Sequence, residues 1–189
     1  LEKTMLSVER DEDREQVASA VAEADQLLAT FNALLRIARL EGGGRTSNFS
    51  DFNLSELVLD AAELYEALAE DKQQTLSIKV KTNIFIYGDK DLLFQTLSNL
   101  IDNAIKYTPE GGDIELYLSS NGKDLELTVA DSGIGIPEEE RAKVFDRFYR
   151  VAKSRSQPGN GLGLSLVQAV VELHDGEIRL ADNEPGLKI

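Results

Sequence analysis

The chain has 189 residues, 34 acidic side chains against 20 basic ones, a net charge of -14, no cysteine and one histidine. These counts exclude disulfide frameworks, cysteine zinc sites, thiolate nucleophiles and multi-histidine metal centres, and the acid excess argues against nonspecific nucleic-acid binding and against adsorption to anionic lipid. The hydrophobic content of 42% is that of a globular protein, and a chain of this size buries roughly 70% of its unfolded surface, enough for one large core or two small ones.

No run reaches the ~18–20 apolar residues that cross a bilayer, and no basic region followed by an apolar stretch reads as a signal peptide. The chain begins at Leu1 rather than Met, so it is expected to be a fragment of something longer. Residues 1–10 carry too little pattern to assign. Residues 11–41 contain neither Pro nor Gly, and Val17, Val21, Ala24, Leu28, Phe31, Leu35 and Ala38 recur at steps of 4, 3, 4, 3, 4 and 3. That is the seam of an amphipathic helix. Leu27, Leu34 and Ile37 widen the stripe toward a bundle. Two readings stand: a helix packed on its own domain, or one arm of a dimerising hairpin. At 1.5 Å per residue such a helix is about 45 Å long, which is long for a small core. Gly42, Gly43 and Gly44 end it, and residues 42–50 read as a linker. The expected boundary therefore divides residues 1–44 from residues 45–189.

The second unit is expected to be α+β. Asn53 or Ser55 caps a helix running to about Asp71, and short strands follow at 76–80 and 84–87. A helix covers residues 90–107. Residues 114–118 and 125–129 alternate with period two around Asn121-Gly122, a hairpin signal. A loop-rich stretch over 131–160 contains a short helical piece after Pro137. A helix at 162–174 and a strand at 177–180 close the unit. Strands joined by hairpins imply a largely antiparallel sheet with the helices on one face.

On the helix at 90–107, steps of 100° gather Leu93, Leu97, Leu100, Ile101, Ala104 and Ile105 on one arc and Asn99, Asn103 and Lys106 on the opposite one. The polar arc is either a solvated face or a stripe facing a ligand, where a carboxamide oxygen suits a partly hydrated Mg²⁺ and an ammonium meets phosphate oxygens. Asp131-Ser132-Gly133-Ile134-Gly135-Ile136-Pro137 follows an apolar strand. It is either a chain reversal, or a carboxylate placed to accept from an exocyclic amine beside glycines that admit a flat ring. Gly159-Asn160-Gly161-Leu162-Gly163-Leu164 runs straight into a helix, where free N–H groups and the dipole favour an anion. It is neither the dinucleotide-binding fingerprint nor a Walker loop. Between the glycine clusters lie Phe145-Asp146-Arg147-Phe148-Tyr149-Arg150, then Lys153 and Arg155. This stretch is either an apolar plug with a solvated basic tail or a lid anchored by Phe145 and Phe148 that offers cations to phosphates.

The ordered set, from Asn99-Leu100-Ile101-Asp102-Asn103-Ala104-Ile105-Lys106-Tyr107 to the last glycine run, resembles the N, G1, F and G2 boxes of sensor histidine kinases of two-component systems. The resemblance covers about residues 50–189, and the helix at 11–41 is similar to the second helix of that family's dimerisation and histidine-phosphotransfer hairpin. It implies a Bergerat-type fold, three helices on a mixed sheet, that binds ATP with Mg²⁺. By that likeness Asp131 binds the adenine amino group, Gly133 and Gly135 shape the adenine pocket, and Asn103 holds Mg²⁺ beside Asn99. Lys106 and Tyr107 face phosphates and ribose, Gly161, Leu162 and Gly163 cradle the phosphates, and Ile136, Phe148, Arg150 and Leu164 complete the ATP-binding set. Catalysis falls to Asn99, Asn103 and Lys106. Related gyrase, chaperone and mismatch-repair ATPases carry Glu where this chain has Asn99. An amide takes no proton from water at neutral pH, which favours transfer to a strong nucleophile such as imidazole over hydrolysis.

The family's phosphoacceptor motif, His-Glu/Asp-x-Arg-Thr-Pro, does not occur here. His174 lies instead in Glu-Leu-His-Asp-Gly-Glu, near the end of a helix, where it reads as a structural residue. The resemblance thus implies a kinase fragment without its acceptor histidine. The partners expected are a second copy through the N-terminal helix, a histidine-bearing helix and a response regulator receiver domain. Neither nucleic acid nor membrane contact is expected of this fragment, which reads as cytoplasmic; an inner-membrane anchor in the longer protein is left open. The alternatives are a nucleotide-binding dimerisation or regulatory module without activity, and a related Bergerat-fold ATPase.

Overall fold

The computed structural model describes residues 11–41, 48–122, 124–152, 157 and 159–189. Lys153 and Arg155, two of the expected lid cations, and residues 1–10 lie outside them. The elements in chain order are α1 (Asp11–Glu41), β1 (Ser50–Asn53), α2 (Leu54–Asp71), β2 (Thr75–Val80), β3 (Phe85–Gly88), α3 (Lys90–Tyr107), β4 (Asp113–Ser120), β5 (Leu125–Asp131), α4 (Gly163–Leu173), β6 (Ala181–Asp182) and β7 (Leu187–Lys188). Two 3₁₀ turns, Glu138–Glu140 and Lys143–Phe145, fill the stretch after Pro137.

The main sheet has the order β2-β4-β5-β7-β6. β4 and β5 form the expected antiparallel hairpin, with Ser120 opposite Leu125, and Gly122 takes the positive φ of 88° at its tip. β2 and β4 run parallel, because the connection between them carries β3 and α3, long enough for a crossover. The sheet is therefore mixed. Ile114, Leu116 and Leu118 alternate along β4 and are buried, and they pack with Val129 against Leu57, Val58 and Ala61 of α2, Leu97, Ile101 and Ala104 of α3, and Val167 of α4. One apolar sheet face thus meets a helical layer, while the other carries partly exposed pairs such as Lys79–Glu115.

Two local expectations change. Residues 177–180 form no strand. The closing strands are the two-residue β6 and β7, and pairing begins only where Ala181 meets Lys188. Conversely, Ser50–Asn53, divided in the sequence reading between a linker and a helix cap, form β1 and pair antiparallel with β3 as a separate small sheet. Asn53 also caps α2, its side chain accepting from Ser55 N–H at 3.1 Å. Ser55 then staples that helix end to the β2–β3 connection: its buried hydroxyl donates to Lys81 C=O at 2.7 Å and accepts from Ile84 N–H at 3.0 Å. Ser55→Ala strands both partners and is expected to cost about 1–3 kcal/mol. An unchanged urea midpoint would contradict this.

α1 docks on its own domain with one face and leaves a second apolar face exposed. Ala33, Leu34, Ile37 and Leu40 pack on Leu162, Leu166, Ala169 and Val170 of the α4 region, with Ile37 fully buried. Arg36 donates to Gln95 of α3, and Asn160 donates to Thr30 at 3.2 Å. Roughly 160° round the helix, at 100° per residue, Leu28, Phe31 and Leu35 of the heptad stripe remain exposed.

Candidate nucleotide site

A cavity of about 650 Å³ opens between α3, the end of β5, the 3₁₀ stretch and the start of α4. That is the size of a small-molecule site. α3 supplies one wall. Asp89 caps it, accepting from Leu92 N–H at 3.1 Å, and its apolar arc (Leu97, Leu100, Ile101, Ala104, Ile105) is buried in the core. The opposite arc then has to face outward, and Asn99, Asn103, Lys106 and Tyr107 all line the cavity, as the 100° spacing implies.

At one end stands Asp131, the last residue of β5 and only 8% exposed. Its Oδ1 accepts from Gly133 N–H at 2.8 Å and from Leu187 N–H at 3.3 Å. Burial pushes the carboxyl above the usual Asp range, and those two backbone bonds offset part of the rise. With Oδ1 committed to both backbone donors, the acceptor capacity left to Asp131 is that of Oδ2. Gly186 packs so closely here that a Cβ on it would lie 1.8 Å from Asp131 O. The chain that returns through Gly186 brings Leu187 and Ile189 into the apolar wall with Val129, Ile136 and Leu164. Leu187 and Ile189 had no signal in the sequence, because a two-residue strand has no period of its own.

At the other end α4 begins at Gly163, and a Cβ there would sit 3.7 Å from Asn99 Oδ1 and 3.8 Å from Asn103 Nδ2. The first turn of α4, whose N–H groups lack intrahelical partners, thus abuts the two amides. Gly159, Asn160, Gly161 and Leu164 complete this end, and Lys106 Nζ reaches to within 2.8 Å of where a Gly159 Cβ would be. Gly161, at φ 70°, lies against the backbone of Phe148 and Tyr149 and accepts from Phe148 N–H at 2.9 Å.

Of the expected site residues, Asn99, Asn103, Lys106, Tyr107, Asp131, Gly135, Ile136, Arg150, Gly161, Gly163 and Leu164 line this one cavity; Gly133, Leu162 and Phe148 do not. Gly133 acts from behind, since its N–H holds Asp131 and its Cα lies against Tyr107 C=O. The Leu162 side chain is buried toward α1, and its N–H donates to Asn160 Oδ1 at 3.1 Å. Phe148 is 55% exposed, so the stretch is anchored instead by the buried Val144 and Val151, with Tyr149 donating to Glu140 at 2.8 Å. Arg150 lines the cavity but spends hydrogen bonds on the carbonyls of Gly159, at 2.9 Å, and Gln157. Arg147 lies beside a separate cleft with Asp146, Ser165 and Glu172.

The same residues fall within a match, over 88–189, to the family of histidine kinase-, DNA gyrase B- and HSP90-like ATPases. The chain is 33% identical over 190 residues to the sensor-like histidine kinase SenX3 of Mycolicibacterium smegmatis, covering 98% of this chain and 49% of SenX3. It is 31% identical to the solved mycobacterial sensor histidine kinase MprB, with a TM-score of 0.63 over 74% of this chain and 93% of that one. It is 27% identical to full-length ShkA, solved in complex with AMPPNP, with a TM-score of 0.77 over 95% of this chain and 38% of that one. The chain spans about half the length of the SenX3 relative. A buried carboxylate, an amide-bearing helix and a glycine-rich helix start in one cavity, together with these likenesses, establish that the chain belongs to the histidine kinase-, DNA gyrase B- and HSP90-like ATPase family and carries an ATP-binding catalytic domain of the sensor-histidine-kinase type.

Proposed function

We propose that this domain binds Mg²⁺-ATP and directs its γ-phosphoryl group to a histidine carried on a separate helix. The observation that carries the reading is the meeting of the Asn99 and Asn103 amides with the N-terminus of α4, in the cavity that also holds Asp131. Asp131 accepts from the adenine amine, Ile136, Val129 and Leu164 flank the ring, and the first turn of α4 receives the phosphates. Among the described residues no cluster of three His, Asp or Glu could hold a metal. Mg²⁺ accords with that, since it keeps several waters and phosphate oxygens and needs few protein ligands. The neutral oxygens of Asn103 and Asn99 fit it, and when bound the ion supplies charge neutralisation at the phosphates. Lys106 adds a second positive centre at the same end. Neither amide can deprotonate a water, so the site positions and stabilises rather than activating a hydroxide.

The acceptor is not His174. Its Nδ1 lies 2.7 Å from Val170 C=O and its Nε2 accepts from Asp89 N–H at 3.0 Å, so both ring nitrogens are engaged. The histidine therefore comes from another helix, within a dimer built over residues 1–44 through the exposed Leu28, Phe31 and Leu35 stripe; residues 45–189 are the catalytic unit. A receiver domain of a response regulator is the onward acceptor in the longer protein, and the setting is cytoplasmic. No helix among the described residues is long and apolar enough to cross a membrane.

The test mixes the protein with a histidine-bearing hairpin and γ-labelled ATP. Label on the hairpin, lost when its histidine is replaced, is the expected result. Steady phosphate release without any hairpin would indicate an ATPase. Nucleotide binding with neither outcome would indicate a regulatory module.

A further inference from the structure

α3 and α4 are the two helices whose meeting forms the phosphate end of the cavity, and they lie antiparallel. Gly163, at the start of α4, meets Asn99 and Asn103 far along α3, while His174, just past the end of α4, meets Asp89 at the start of α3. Between these points apolar side chains supply the packing. Leu92 packs with Leu166, Ala169 and Val170, and Leu97 lies in the core cluster that holds Val167. The hydrophobic drive behind that packing is non-directional and does not by itself choose between nearby axial positions. A hydrogen bond does choose, because it weakens steeply with distance and angle.

The His174 ring is held on several sides. It makes the Val170 and Asp89 bonds together only as the Nδ1–H tautomer. Phe49 stacks on it at 4.6 Å between centroids, with 16° between planes. Gly88 leaves it room: a Cβ there would lie 2.7 Å from His174 Cδ2 and 2.8 Å from Nε2. Asp89 is itself the cap of α3, its side chain accepting from Leu92 N–H while its own N–H donates to His174. The bond therefore joins the C-terminal end of one site helix to the N-terminal cap of the other.

We propose that His174 is a positioning residue, which sets the axial register of α4 on α3 and so the spacing between the N-terminus of α4 and the Asn99 and Asn103 amides. This rests on the reading of that end of the cavity as the phosphate site. A register error of a fraction of an ångström would be felt at the phosphates, where charge and geometry must coincide. It would not be felt at Asp131, which stands on β5 and is held by Gly133 and Leu187.

The test compares the affinities of Mg²⁺-ATP and adenosine for wild type, His174→Gln and His174→Asn, with a thermal melt of each. The glutamine carbonyl reaches the place of Nε2 and keeps the Asp89 bond. The asparagine amide reaches only the place of Nδ1 and leaves Asp89 N–H unpaired. The preference for Mg²⁺-ATP over adenosine is expected to fall about five- to tenfold in His174→Asn, the scale of one lost hydrogen bond, and to recover in His174→Gln, with adenosine affinity constant throughout. A purely structural role would move both ligands together, or track the melting temperature. Equal preference in all three proteins overturns the proposal, as does a glutamine variant no better than asparagine. A wild type that binds adenosine as tightly as Mg²⁺-ATP overturns the phosphate-site reading, and this proposal with it. Should His174→Asn not fold, a through-hydrogen-bond ¹⁵N–¹⁵N coupling between Asp89 and His174 Nε2 in the wild type supplies the check: its presence, with Asp89 N–H protected from exchange, supports the register bond, and its absence overturns it.

Discussion

Asp131→Asn is expected to weaken ATP binding by at least about ten- to hundredfold while leaving the protein at least as stable as the wild type. The carboxylate is buried, and burial raises its pKa above the usual Asp range despite two backbone hydrogen bonds. A group raised on folding binds its proton more tightly in the folded state. Its favourable contribution is therefore complete below the unfolded pKa and is lost as pH climbs through the window between that value and the raised one. At neutral pH the charged side chain is a net cost of folding, and an uncharged amide removes it. Asparagine Oδ1 can still accept from Gly133 and Leu187, which turns the NH₂ toward the cavity. There a donor meets the adenine amine, another donor, in place of an acceptor. The loss of a charged acceptor is worth about 1.5–3 kcal/mol, or roughly ten- to hundredfold in affinity, before the donor–donor repulsion is added. Calorimetric titration with ATP and melting curves from acid to neutral pH check both halves. Undiminished ATP affinity would remove Asp131 from the adenine site. A lower melting temperature at neutral pH would mean that its charge stabilises the fold.

Asn103→Ala is expected to leave adenosine binding intact and to lower γ-phosphoryl transfer to an added histidine hairpin by about a hundred- to a thousandfold, the usual scale for removing one preorganised electrostatic group. The side chain is half-buried on the outward arc of α3, facing the cavity rather than the core, so its truncation costs the fold little. The diagnostic is the metal. In wild type, chelating Mg²⁺ should weaken ATP binding markedly, whereas in Asn103→Ala the chelated and metal-loaded affinities should converge. Transfer assayed across a Mg²⁺ titration checks this. A variant with unaltered metal dependence would shift the ligand role to Asn99 or to the phosphates alone.

These two residues show what was legible in the sequence. Asn103 could be placed because helix geometry is local: 100° per residue, with six apolar positions on one arc, leaves the amides no direction except away from the core. Asp131 could be placed because an alternating strand ended on it and glycines followed. The β4–β5 hairpin and the long α1 were readable for the same reason, since each rests on a period carried within its own segment.

Leu162 and Phe148 show the limit. Both sit inside recognisable boxes, yet neither lines the cavity. The Leu162 side chain is drawn into the seam with Ile37 of α1, more than a hundred residues earlier in the chain, where its isobutyl group is buried. Phe148 is turned outward at a positive φ of 65°, beside the close approach of Gly161. β1 was missed because four residues without alternation become a strand only when β3 lies alongside, and 177–180 was misread because alternation without a partner edge makes no ladder.

The sequence by itself determined the acid excess, the single histidine outside any His-Glu/Asp-x-Arg-Thr-Pro motif, the apolar and polar faces of α1 and α3, and the order of the boxes, because composition and periodicity are properties of a segment taken alone. Tertiary structure decided the rest: that α1 docks on α4 with one face and leaves another open, that Leu187 and Ile189 return to wall the cavity, that Arg150 holds loop carbonyls, and that the one histidine is tied between two helices. Each of these depends on which distant group a side chain meets, and burial and hydrogen bonding are energies of meeting, which no local pattern carries.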